Sequence, residues 1–180
     1  RQMCIRDRFC RFNMHLLTLI TKIFHYLPEE IAHRFALSGL KIIHSVGILK
    51  ILLGKNFIER EISDESIDKT TYKNKLGIAA GLDKDGEYID SLSALGIGFI
   101  EVGTVTPLQQ QGNAKPRLFR NRSEKSLLNR LGFNNKGVEG LVENLKKRNS
   151  TIPIGVSIGK NFDTPNEEAY KDYLFCMEKV

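Results

Sequence analysis

Three short apolar runs, each ending in small residues and each followed by a helical pattern, constrain this chain more than any other feature. Leu76-Gly77-Ile78-Ala79-Ala80-Gly81 is the first, with helical spacing from Tyr88 to Leu95 behind it. Gly98-Phe99-Ile100-Glu101-Val102-Gly103 is the second, and residues 152–158 the third. Between these two, residues 137–147 carry Val138, Leu141, Val142 and Leu145 on one helical face, and residues 166–180 form a last helix. Leu118-Phe119 and Leu127-Leu128 read as short extended segments flanking a charged turn. Strands alternating with helices imply an α/β protein whose parallel sheet is covered by helices. Ligands in such sheets bind beyond the carboxyl ends of the strands, so the residues at those three ends are the first candidates for a site.

At the first end stands Ala79-Ala80-Gly81-Leu82-Asp83-Lys84-Asp85-Gly86. Small side chains there let a planar ligand approach the backbone, and Lys84 offers a positive charge. Equally, Asp83 or Asp85 could simply cap the following helix. Gly103-Thr104-Val105-Thr106-Pro107 ends the second strand with two hydroxyls, and Gly155-Val156-Ser157-Ile158-Gly159 brings a third hydroxyl, on Ser157, to the same rim. Asn129-Arg130-Leu131-Gly132-Phe133-Asn134-Asn135 gathers three amides and a guanidinium around one Gly and one Phe. An Asn amide donates and accepts at once, matching the imide edge of a pyrimidine, and Arg suits a carboxylate. One of these Asn residues is readily explained as a helix cap; the cluster is not.

Upstream, the pattern is different. Leu16, Leu17, Ile20, Ile23, Phe24 and Leu27 recur at helical spacing. Pro28-Glu29-Glu30 opens a second helix, with Pro in the first turn and carboxylates at the positive dipole end. Ile31, Phe35, Leu40 and Ile43 continue an apolar side, followed by Leu49, Ile51 and Leu52. Neither helix reaches the roughly 18 uncharged apolar residues a membrane span needs. The pair can lie in a membrane interface or pack as a hairpin on its own domain. Residues 1–13 begin without Met and lack periodicity, so they read as an extraneous leader, with Met14 as the natural start. Residues 14–54 form the helical element, 55–75 a polar linker, and 76–180 the α/β part.

The charge balance, 27 basic against 21 acidic residues, is concentrated towards the amino terminus and fits a membrane surface or a phosphate-bearing ligand. With no Trp and no basic stripe interleaved with aromatics, nucleic acid is not an expected partner. Cys4, Cys10 and Cys176 are odd in number and show no C-x-x-C spacing, and the four His form no H-x-x-x-H pair, so neither a disulfide framework nor a metal site is expected.

Taken in order, five blocks resemble the dihydroorotate dehydrogenases of the membrane-associated, quinone-reducing class. They are residues 79–86, 100–107, Gly112-Asn113 with Lys115-Pro116-Arg117-Leu118-Phe119-Arg120, residues 129–135, and Gly159-Lys160-Asn161-Phe162-Asp163-Thr164-Pro165. The resemblance implies a (β/α)₈ barrel, here its first strands and helices, preceded by a two-helix membrane-associating element. It implies FMN bound by Ala80, Gly81, Leu82, Asp83, Lys84, Thr104 and Ser157, where the family usually has Asn at the last position. Lys84, Asn129, Arg130, Leu131, Gly132 and Phe133 would contact dihydroorotate or orotate. His33 and Arg120 would line a quinone tunnel, with residues 16–53 facing the membrane. Peripheral association with the cytoplasmic side of an inner membrane follows, as does a place in pyrimidine synthesis. The family's general-base Ser belongs to a later Ser-Pro-Asn segment that has no counterpart here, so no catalytic residue is assigned and the polypeptide alone is expected to be inactive. A soluble dihydroorotate dehydrogenase, a nucleobase flavin reductase, or a non-catalytic membrane-surface module are the competing readings.

Overall fold

A computed structural model describes residues 21–53, 65–67, 70–73 and 75–180. Residues 1–20, including Leu16, Leu17 and Ile20, lie outside the described residues, as does most of the expected linker. Helix α1 (Glu29–Ser45) is followed after Gly47 by α2 (Ile48–Leu53). Strands β1 (Glu65–Ile67) and β2 (Thr70–Tyr72) pair antiparallel inside the stretch read as a linker. The α/β part then runs β3 (Gly77–Ile78), α3 (Ile89–Ser93), β4 (Phe99–Val105), β5 (Leu118–Asn121), β6 (Ser126–Asn129), α4 (Val138–Lys147), β7 (Ile154–Ile158), a 3-10 turn (Asn166–Glu168) and α5 (Ala169–Lys179).

The three expected strands form one parallel sheet in the order β3-β4-β7. Gly77 pairs with Phe99 and Ile78 with Ile100; on the other side Ile100 faces Ile154, Val102 faces Val156, and Gly103 faces Ser157. Parallel strands need a crossover, and here α3 and α4 lie in those crossovers. Ile100, Val102 and Val105 of β4 are fully buried and meet Ile89 and Leu92 of α3, Val138 and Leu141 of α4, and Cys176 of α5. The helical face read from Val138, Leu141, Val142 and Leu145 is the one that packs here. Burial pushes the Cys176 thiol up to about 11, which leaves it an inert core group.

Two further expectations resolve in detail. Leu118-Phe119 and Leu127-Leu128 are the arms of an antiparallel hairpin, with Phe119 opposite Leu128 and the charged turn at its tip. On α1 the inward face is Ala32 and Leu37 with Leu40 against the core, while Ile31 and Phe35 of the expected apolar side stay exposed. Ile31, Phe35, Ile42 and Val46 recur at four- and seven-residue steps, so they form one open apolar stripe. The helix is apolar on two sides and its domain covers only one of them. No helix among the described residues is long and apolar enough to cross a membrane.

Candidate active site at the strand ends

The carboxyl ends of β3 and β4 and the loop after β6 enclose a cleft of about 650 Å³. Ala80, Gly81, Lys84, Thr104 and all of Asn129, Arg130, Leu131, Gly132 and Phe133 line it, together with Asn113. A second cleft of about 800 Å³ lies between α1 and the same strand end, with His33, Leu82 and Asp83 among its walls. The two share Ala80, Gly81, Lys84 and Leu131. The two clefts therefore meet at the first strand end.

Gly81 turns the chain at φ +103°, a conformation that favours glycine, and nothing lies within 4 Å of where a Cβ would stand. The space beside it is open. Gly103 is more constrained: at φ +99° a Cβ would meet the Ser157 carbonyl oxygen at 2.4 Å. That close approach brings the Thr104 and Ser157 hydroxyls within 2.9 Å of each other, so Ser157 joins the rim through Thr104.

Lys84 donates to the Asn134 carboxamide oxygen at 2.6 Å. Burial, reinforced by the nearby Arg117 guanidinium, lowers its ammonium from the ordinary lysine value. Burial also pushes His33 below 6.5, with the Lys84 charge adding to the effect and the Leu82 carbonyl opposing it. Asp83 behaves differently. Only 2% exposed, it accepts the Glu87 amide at 2.9 Å and the Tyr88 amide at 2.8 Å, and burial raises its carboxyl. Its oxygens brace the turn leading into α3, which is the capping alternative open in the sequence. Asn135 takes the other structural role: its side-chain oxygen accepts the Gly137 amide at the start of α4, while its amide donates to Thr106 and to the Phe133 carbonyl.

Arg120 stands apart from both clefts. Its guanidinium donates to the His25 carbonyl at 2.7 Å and lies 4.0 Å from Glu29, at the start of α1. Arg117 and Asn134 escaped the sequence reading of the site. Arg117 sits before a strand, where a charge ordinarily faces solvent, and only the tertiary structure reveals its side chain as 9% exposed. Asn134 had a signal, its place in the amide cluster, but not its partner. Among the described residues no group of three or more potential metal ligands occurs.

A parallel sheet wound with helices, with ligand-sized clefts and a lysine at the strand carboxyl ends, places the chain among α/β proteins and fits the first part of a barrel. Within that class the chain belongs to the dihydroorotate dehydrogenase family, whose model matches residues 63–180. It is 46% identical over 165 residues to the dihydroorotate dehydrogenase (quinone) of Nitrosospira multiformis and 49% identical over 162 residues to that of Yersinia enterocolitica. These alignments cover 92% and 90% of this chain, but only 46% and 47% of the relatives, so the chain spans somewhat less than half their length. Two crystal structures of dihydroorotate dehydrogenase from Eimeria tenella, one ligand-free and one in complex with ferulenol, align with TM-scores of 0.68 and 0.66 at 32% and 33% identity. They match 84% of this chain and 42% and 40% of theirs, which supports a partial (β/α)₈ barrel.

Proposed function

We propose that the protein containing this chain oxidises dihydroorotate to orotate with FMN as its cofactor and a membrane quinone as the final electron acceptor, within pyrimidine synthesis. The observation that supports this reading is the strand end of Ala80, Gly81 and Lys84, which lines two adjoining clefts. A ring held at this strand end would be within reach of both clefts, one for the substrate and one for an electron acceptor. The residues present fit FMN: small side chains at Ala80 and Gly81, open space beside Gly81, and hydroxyls at Thr104 and Ser157 for polar atoms. When bound, FMN supplies the two-electron acceptor.

The chain's own residues bind and orient. Asn129 presents an amide to the pyrimidine ring edge, and Arg130, one arm of which donates to the Pro116 carbonyl at 3.1 Å, presents the other to a carboxylate. Lys84, fixed by Asn134, keeps two N–H groups for the negative charge that develops as a proton and a hydride leave neighbouring substrate carbons. Such charge is stabilised most strongly in a dry site. In the second cleft His33 lines the way for the quinone, and Arg120, held outside the cleft by the His25 carbonyl, stands at the approach to α1. The open stripe of Ile31, Phe35, Ile42 and Val46 rests on the membrane surface, peripherally and on the cytoplasmic side.

The full-length protein tests this directly. Its absorbance should be that of a flavoprotein, anaerobic dihydroorotate should bleach it, and decylubiquinone should restore it. A colourless protein, or one bleached only by a nicotinamide, would sink the reading. Deleting residues through 53 should abolish liposome association and quinone reduction while leaving bleaching at saturating dihydroorotate in place.

A further inference from the structure

An ion pair between a buried arginine and a half-buried carboxylate, with a set of carbonyl contacts, joins the two clefts away from the strand end they share. Arg117 donates from Nε to Glu30 Oε1 at 2.6 Å and from one terminal nitrogen to Oε2 at 3.4 Å. Its other terminal nitrogen donates to the carbonyls of Gln111 at 2.6 Å and Asn113 at 3.0 Å. Glu30 lies on α1 one turn before His33, and both line the second cleft. The Arg117 hydrogen bond is the largest influence holding the Glu30 carboxyl below its usual range.

On the other side, Asn113 is bound to the loop that walls the first cleft. Its backbone amide donates to the Leu131 carbonyl at 3.1 Å and its side-chain amide to the Arg130 carbonyl at 2.7 Å. The Arg130 amide in turn donates to the Arg117 carbonyl at 2.8 Å. The packing between these segments is tight: a Cβ on Gly112 would lie 2.2 Å from the Leu131 oxygen, and one on Gly132 2.8 Å from the Asn113 nitrogen. A displacement of residues 111–113 therefore carries residues 130–132 with it.

We infer that Arg117 is a positioning residue that couples the two clefts, holding the helix that carries Glu30 and His33 in register with the loop 129–133. A planar guanidinium with a fixed fork suits this role, since one face of it satisfies a bidentate carboxylate while the remaining arm engages two carbonyls. Any ligand that shifts α1 against residues 111–113 then alters affinity at the loop. Reciprocity requires that a ligand at the loop alter affinity beside α1 by the same factor. This coupling rests on reading the two clefts as the quinone and substrate sides; the connection between helix and loop does not.

The experiment uses the full-length protein and the variants Glu30→Gln, Arg117→Lys and Lys115→Gln. Glu30→Gln touches only α1, yet should raise the orotate dissociation constant and the decylubiquinone KM together, each by about fivefold or more. The Glu30→Gln/Arg117→Lys double variant should add little to either single change, because both break one link. Lys115, also 3.0 Å from Glu30 but 67% exposed, serves as the control for bulk charge, and Lys115→Gln should leave orotate binding within about twofold. An orotate constant unchanged in Glu30→Gln overturns the coupling, as does an equal shift in Lys115→Gln or strict additivity in the double variant. Hydrogen exchange separates this from the function assigned above. The Arg130 amide should exchange faster in Glu30→Gln whether or not any ligand binds. Unaltered exchange there refutes the role of Arg117, whereas wild-type protein that exchanges as expected but binds no orotate refutes the functional reading alone.

Discussion

Asp83→Ala separates two roles that the sequence leaves open for a carboxylate at a strand end beside a cleft. In the structure both Asp83 oxygens accept backbone amides, from Glu87 and Tyr88, at 2% exposure. Alanine removes both acceptors and leaves two buried donors, at about 1–3 kcal/mol each, so a loss of about 2–5 kcal/mol in stability is expected. Asparagine retains one oxygen and introduces no buried charge. Because burial already disfavours the ionised Asp83, Asp83→Asn should lose about 1 kcal/mol, clearly less than alanine. Urea unfolding of the full-length protein, with and without saturating FMN, reads these differences; the loss should be the same in both series, since a bracing contact is indifferent to the ligand. If Asp83→Ala kept its unfolding midpoint but bound FMN tenfold more weakly, the carboxylate would be a ligand contact and the bracing role wrong. Equal losses for alanine and asparagine would also refute the account, because the retained oxygen would then have no value.

Three further outcomes follow from the site and core. Lys84→Gln removes a charged donor fixed by Asn134, and orotate should bind about 10- to 100-fold more weakly by equilibrium titration, while Leu141→Ala, a fully buried core truncation, should cost about 2–5 kcal/mol and leave orotate affinity alone. Gly103→Ala forces a Cβ to 2.4 Å from the Ser157 carbonyl at positive φ, and should reduce soluble yield and lower the thermal midpoint by several degrees. His33 binds its proton less readily when folded than when unfolded, so its contribution favours the unfolded chain as pH falls from 6.5 towards its lowered folded value. Thermal unfolding between pH 7 and 5.5 should therefore fall less steeply in His33→Gln than in wild type; identical slopes would contradict it.

The sheet, and the strand ends that border its clefts, were legible because strand and helix write different periods into the chain. Residues 76–81, 98–103 and 152–158 announce strands through small and β-branched runs, and the parallel order follows from the helical segments between them. Residues 129–133 announced a wall of the cleft through an amide cluster that capping alone could not explain. Three features needed the tertiary structure. Which apolar side of α1 turns inward depends on where β5 and α3 meet it, and Ile31 and Leu40 look alike in a helical period. Arg117 is a buried clamp only because Glu30, 87 residues away, reaches it. The β1–β2 pair lies in a charged stretch where strands of three residues leave almost no periodic signal. Asp83 shows the opposite limit: its place at the rim is plain from the order of residues, which is compatible with both of its roles.

The Thr104–Ser157 hydroxyl pair has a consequence for how the rim meets a ligand. Either oxygen can act as the donor across their 2.9 Å contact, so the pair has two polarities separated only by rotation about two C–O bonds. In one the outward proton belongs to Thr104, in the other to Ser157. Hydroxyl protons rotate to suit their partners, and no backbone movement is needed for the exchange. An asparagine at position 157 would fix its donor and acceptor in place. With serine there, the rim can match ligand edges that differ in where they carry a proton, and it does so on the timescale of side-chain rotation.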